Sequence, residues 1–175
     1  WEGLEPLAQP IRGIEVEEMG GGPGAARGHL HFDPRETAEG RAGWILEDRW
    51  LRRALLDAVA AEERIVHLAP VALAGFEAAP ARATLRLDDG RAVTASLAVG
   101  ADGRRSALAR AAGIRHQRFP YGQRGLVAAI EHSLPHEGIA HQAFFPGGPF
   151  AVLPLPGDRS AVVWSEREAE ADRLS

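Results

Sequence analysis

Residues 97–114 read LAVGADGRRSALARAAGI. A carboxylate, Asp102, stands between glycines and is followed by two guanidinium groups and a hydroxyl. Gly100 and Gly103 let a backbone approach closely, either to a ligand or to itself in a turn. Asp102 accepts hydrogen bonds and donates none, which suits a hydroxyl on a ribose or ribityl chain. Arg104 and Arg105 suit phosphate. The apolar run before the motif predicts a strand. Ser106 predicts the N-cap of a helix over about 107–112, with Gly113 as the left-handed residue that closes it. The N–H groups at such a helix start also favour an anion. The stretch therefore suits a molecule carrying both hydroxyls and phosphates. The same residues also make an ordinary turn and cap, and both readings stand at this level.

Other side chains offer less. His29 and His31 share a strand face and have metal-ligating chemistry, but no Cys and no evident carboxylate cluster joins them. His132, His136 and His141 have no regular spacing, so no metal site is expected. Ser106 and Ser165 lack the His and Asp partners of a hydrolase triad. Phe144, Phe145, Phe150, Leu153 and Leu155 surround two proline-glycine turns. They read as sheet core or as the wall of an apolar pocket, with Gln123 and Gln142 as its polar candidates. Strand alternation puts Phe150, Val152 and Pro154 on one face and Ala151, Leu153 and Leu155 on the other.

The elements that must hold these groups can be outlined. IRGIEVEEMG (11–20) predicts a strand, 20–28 a glycine-rich loop and HLHFD (29–33) a short strand. Leu51, Leu55, Leu56 and Val59 recur at helical spacing and predict a helix over about 48–61. RIVHLAPVALAGFEA predicts two short strands broken at Pro70. ATLRL and RAVTASLAVGADG, joined through Asp89-Gly90, predict a hairpin whose long second strand runs into the opening motif. GLVAAIEH, AHQAFFP, FAVLPLP and SAVVWSE predict four more strands, and the last residues a helix. The class expected is α+β, with an antiparallel-rich sheet interrupted by residues 44–118.

Composition narrows the function. The chain has 175 residues, 45% of them apolar, a net charge of −4 and no cysteine. That balance gives no bulk attraction to nucleic acid or anionic lipid, and a disulfide framework is excluded. No apolar run reaches the roughly 18 residues that span a bilayer. The chain opens on Trp1-Glu2-Gly3 and closes on a charged helical pattern, so an internal segment of a longer protein, cut at both ends, is expected.

VGADGRRSALARAAGI resembles the DG motif of class A flavoprotein monooxygenases, the aromatic hydroxylases related to p-hydroxybenzoate hydroxylase. Residues 121–164, YGQRGLVAAIEHSLPHEGIAHQAFFPGGPFAVLPLPGDRSAVVW, are similar to the ubiquinone-biosynthesis branch of that family. WEGLEPLAQPIRGIEV and WILEDRWLRRALLDAV resemble its earlier segments. The resemblance implies a partial FAD/NAD(P)-binding fold over 44–118, interleaved with a substrate-domain sheet in 1–43 and 119–175. It implies FAD contacts at Asp102 and Gly103, with Arg104 and Ser106 as further candidates. It also implies a polar cofactor position at Asp48, where an acidic side chain repels phosphate unless Arg49 compensates. Gln142, Phe144, Val152, Leu153 and Pro154 are the substrate candidates, and no general base is assigned. The implied enzyme takes electrons from NAD(P)H, uses O₂ and hydroxylates a lipophilic, polyprenylated phenol or quinone precursor. It would be cytoplasmic, peripheral to the inner membrane or bound to other ubiquinone enzymes, and would have no nucleic-acid partner. The G-x-G-x-x-G turn and the later Gly-Asp motif of the family are absent from the 175 residues, so the segment alone is expected to be inactive. A halogenase or reductase of the same fold, or a β-rich binding module, are the alternatives.

Overall fold

A computed structural model describes residues 1–20, 26–36, 40 and 42–174. The chain forms two compact units, residues 1–61 with 120–175, and residues 62–119. The sequence reading set its divisions at 43/44 and 118/119. By contacts, the helix over 48–61 groups with the first unit.

The first unit is built on a six-stranded sheet in the order β3-β2-β9-β10-β11-β8. These strands are β2 (Gly13–Met19), β3 (Ala26–Phe32), β8 (Gln123–Glu131), β9 (Ile139–Phe145), β10 (Gly148–Leu155) and β11 (Arg159–Arg167). Every neighbouring pair is antiparallel except β2 with β9, which is parallel. The four later strands form as their β-branched and aromatic runs predict. Phe145 pairs with Gly148 across a two-residue turn, and Leu155 pairs with Arg159 across Pro156-Gly157-Asp158. Gly157 takes a positive φ there, which its missing side chain permits. A small second sheet pairs β1 (Gln9–Ile11) with β4 (Gly43–Ile45). The expected loop over 20–28 is shorter than predicted: 26–28 already belong to β3, paired with Glu18 and Met19, and 21–25 lie outside the described residues.

Helix α1 runs Asp48–Ala61, as its spacing predicts, with Asp48 in the first turn where the helix dipole favours an acid. Its apolar stripe, Leu51, Leu55 and Leu56, is exposed. Helix α3 (Glu168–Leu174) follows β11 directly and buries Ala171 completely. The tightest packing in this unit lies at the end of β10 and the start of β11, where Pro154, Leu155 and Ser160 are buried.

The second unit is a three-stranded antiparallel meander, β5 (Leu73–Ala79), β6 (Arg82–Leu87) and β7 (Ala92–Ala95), followed by α2 (Ala107–Ala111). Gly90 supplies the positive φ in the β6–β7 turn. Two expectations fail here. Residues 64–69 form no strand: Pro70 interrupts the run and brings no N–H to a ladder, and Ala72 is instead tied to Asp88. The long second hairpin strand stops at Ala95, because Ala95 pairs with Ala83 and β6 begins only one residue earlier. Leu97 and Val99 continue without a ladder and are exposed.

Candidate functional site

The DG turn is a self-contained hydrogen-bond unit. The Ser106 hydroxyl donates to Asp102 Oδ1 at 2.5 Å. The backbone N–H groups of Ala107 and Leu108 donate to Asp102 Oδ2 at 2.6 and 3.3 Å. Ser106 Oγ accepts from the Ala109 N–H at 2.9 Å, so Ser106 is the N-cap its type predicts. The Ser106 hydroxyl, with the Leu108 and Ala107 N–H groups, holds the Asp102 carboxyl below the usual Asp range. Asp102 therefore occupies the helix start that the sequence reading left for an anion. Gly100 packs closely: a Cβ there would meet Leu108 Cδ2 at 3.3 Å and Asp102 Oδ1 at 3.5 Å. Gly103 takes φ +76° with open space around it. Arg104 and Arg105 are exposed and have no carboxylate partner among the described residues. Gly113 ends α2 in the left-handed region, as predicted.

Asp48 and Arg49 lie in the other unit and pair with other residues. Asp48 pairs with Arg52 one turn along α1, at 3.2 Å. Arg49 turns to Glu47 at 2.9 Å and stacks on Trp50, 4.8 Å from the ring centroid. Glu47 also binds Arg159 at 2.8 Å, and the Arg159 and Arg49 guanidinium groups hold its carboxyl below the usual range.

The substrate candidates divide between the two faces of the large sheet. Register places Gln142 opposite Ala151 and Phe144 opposite Pro149, so these share a face with Leu153. Val152 lies on the other face, opposite His141 and Val162. Pro154 is on the Val152 face but fully buried, so it packs the core rather than lining a surface. Gln142 Nε2 donates to the Phe150 carbonyl, and Gln123 Nε2 donates to the Gly147 carbonyl at 2.8 Å and ties the β9–β10 turn.

The Val152 face carries groups that the sequence did not connect. Phe145, Phe150 and Trp164 make successive edge-to-face contacts, with centroids 6.2 and 5.7 Å apart. The Trp164 indole N–H is buried with no hydrogen-bond partner among the described residues. A cleft of about 200 Å³ on this face is lined by Glu15, Glu17, His141, Phe145 and Phe150 among others. His29 and His31 do have a carboxylate neighbour. Glu15 on β2 bridges both, at 2.6 Å each, and His31 leads in holding its carboxyl below the usual range. The i, i+2 histidines and the Glu-x-Glu of the facing strand were the available signal. Among the described residues no cluster has metal-binding geometry. A second missed pair is His132 Nε2 with Ser160 Oγ at 3.0 Å; Ser160 is only 1% exposed, which fits a structural staple and not a nucleophile.

No family model matches the chain. It is 40% identical to ubiquinone hydroxylase UbiL of Rhodospirillum rubrum over 167 residues, covering 95% of this chain and 38% of that protein. Over nearly its whole length the chain is thus similar in sequence to ubiquinone-biosynthesis hydroxylases. It is 26% identical to 3-demethoxyubiquinol 3-hydroxylase of Escherichia coli over 175 residues, covering 99% of this chain and 43% of the relative. The chain thus spans about two fifths of the length of these curated relatives. In fold it matches PqsL, a probable FAD-dependent monooxygenase from Pseudomonas aeruginosa, with a TM-score of 0.76 at 23% identity, covering 95% of this chain and 45% of that one. The expected α+β fold class is thereby borne out.

Proposed function

We propose that the protein carrying this chain is an FAD-dependent hydroxylase of the aromatic ring of a polyprenylated ubiquinone precursor. The 40% identity to a ubiquinone hydroxylase across 95% of the chain carries the reading. The net reaction converts ring C–H, O₂, NAD(P)H and a proton to ring C–OH, water and NAD(P)⁺. We assign residues 44–118 to the cofactor-binding part, and 1–43 with 119–175 to the substrate part.

The DG turn fits an anionic flavin cofactor in access and in charge. Gly103 is open and Arg104 has no carboxylate partner among the described residues, while Asp102 and Ser106 hold the turn in shape. Asp48 and Arg49, exposed at the start of α1, are the second candidate contact. Bound FAD would supply electron transfer and oxygen activation. The chain's own part is to place the ring and exclude water, a task we assign to the aromatic Val152 face. It combines Phe145, Phe150 and Val152 with a few polar groups, as ligand pockets do. We place the enzyme in the cytoplasm, peripheral to the inner membrane or within an assembly of ubiquinone enzymes. Among the described residues no helix is long and apolar enough to cross a membrane.

Steady-state NAD(P)H oxidation by the intact protein tests this reading. The rate should rise several-fold on adding a polyprenylated phenol. A rate indifferent to every such phenol contradicts it.

A further inference from the structure

Three strands place ionisable groups in one row across the large sheet. His31 on β3 stands opposite Glu15 on β2, and Glu15 stands opposite His141 on β9. Beyond His141 the row continues into Val152 and Val162. His141 thus has a carboxylate on one neighbouring strand and an aliphatic side chain on the other. The carboxylate is held in place. His29 Nε2 and His31 Nδ1 each donate to one Glu15 oxygen at 2.6 Å, since a carboxylate only accepts. The His31 bond leads in holding that carboxyl below the usual range, so Glu15 is charged at neutral pH. The other histidines of this unit, His29, His31, His132 and His136, all have hydrogen-bond partners. His141 has none among the described residues, and it lines the cleft of about 200 Å³ with Glu15, Glu17, Phe145 and Phe150.

We propose that His141 is the catalytic base that takes the phenolic proton of the substrate, and that Glu15 is the positioning residue that supports its charged form. The inference deepens the proposed function and rests on it, because it needs a phenol on the Val152 face. In this step the substrate O–H bond breaks, an N–H bond forms on an imidazole nitrogen, and the electron pair stays on oxygen as phenolate. The proton then passes from the imidazole to water, and the step consumes no oxidant. A phenolate ring is richer in electrons than a phenol ring, which is what hydroxylation of the ring needs. Imidazole suits the task, since a base works best when it titrates near the working pH. The ionisable groups facing His141 are Glu15 and Glu17 on β2, with His29 and His31 behind them on β3, and β10 brings none. The fixed negative charge of Glu15 favours the imidazolium. Glu15 is the poorer base of the two, because both its oxygens are engaged by the histidines of β3.

The test uses the intact protein and two prenylated phenols, one plain and one fluorinated so that it is already ionised at neutral pH. His141→Gln should lower turnover of the plain phenol about a hundredfold at neutral pH. The rate of that variant should then climb about tenfold per pH unit toward the phenol's own ionisation at about pH 10. With the fluorinated phenol most of the loss should be recovered. Glu15→Gln should lower turnover of the plain phenol about tenfold, with the same recovery. A readout without turnover is the spectrum of a bound prenylated nitrophenol, whose phenolate is coloured. Wild type should hold it ionised at a pH where it is neutral in free solution, and His141→Gln should not. A His141→Gln variant that matches wild type, or that loses both phenols equally at every pH, overturns the proposal. If that variant misfolds, the nitrophenol and Glu15→Gln decide: an unshifted nitrophenol in wild type, or a Glu15→Gln variant that matches wild type, overturns it. If wild type turns over no phenol but ionises the bound nitrophenol through His141, the hydroxylase reading fails and the base stands. If wild type hydroxylates the plain phenol and both variants match it, the hydroxylase reading stands and the base is refuted.

Discussion

Asp102 accepts from Ser106, Ala107 and Leu108, and Ser106 accepts from Ala109, so the first turn of α2 depends on two side chains. Ser106→Ala should cost about 1 kcal/mol, the usual effect of removing a hydroxyl cap. Urea unfolding measures it, and an unchanged midpoint would reduce Ser106 to a bystander. Acid should act on the same unit through Asp102. Its folded carboxyl lies below the usual Asp value, so its contribution is complete above about pH 4 and is lost as the pH falls through the folded value. The Ala107 and Leu108 amide resonances should report that titration, and shifts only near an ordinary Asp pKa would contradict the geometry. The cap was legible because Ser, a short helical run and Gly113 follow local rules. The occupation of the helix start by Asp102 was not, because a carboxylate facing a ligand and one facing its own backbone look alike in sequence. Asp48 shows a further local rule at work: i, i+4 spacing on α1 pairs it with Arg52.

Strands with their own alternation and turn residues were readable, and those needing a partner were not. β8 to β11 and α1 follow from pattern, whereas Leu97 and Val99 alternate like a strand but run past the start of β6. The β9–β10 turn is strict at Gly148: φ is +155° and a Cβ would lie 2.3 Å from the Ser165 carbonyl oxygen. Gly148→Ala should destabilise by about 1–3 kcal/mol, as overpacking does, and thermal unfolding checks it. An unaltered melting temperature would mean that the turn relaxes freely. The same sheet separates its two faces. In the intact enzyme, Val152→Asp should cut phenol turnover about tenfold or more while flavin content is kept, since a charge would enter the aromatic face. Leu153→Asp should spare turnover in the molecules that fold. The reverse pattern would move the substrate to the Phe144 face. Which face carries chemistry could not be read from FAVLP alone, because alternation defines two faces without ranking them. The cross-strand meeting of Phe145, Phe150 and Trp164 is what favours the Val152 face in our proposal, and it depends on register over three strands.

At the scale of the molecule, two compact units carry different parts of the proposed chemistry: a cationic DG turn in one and an aromatic sheet face in the other. The ordered resemblance over most of the chain was readable because turn glycines, prolines and aromatics recur in one sequence order. The contact boundary at Ala61 was not, since α1 is periodic throughout and makes few contacts that a pattern would reveal. Several flavoprotein chemistries share this fold, so fold alone does not select hydroxylation. Oxygen transfer does. The intact protein, supplied with NAD(P)H, a polyprenylated phenol and ¹⁸O-labelled O₂, should yield a phenol carrying one labelled ring hydroxyl, with product formed only when flavin is bound. A product labelled from water, a halogenated or reduced product, or flavin turnover with no oxygen in the ring would contradict the hydroxylase account.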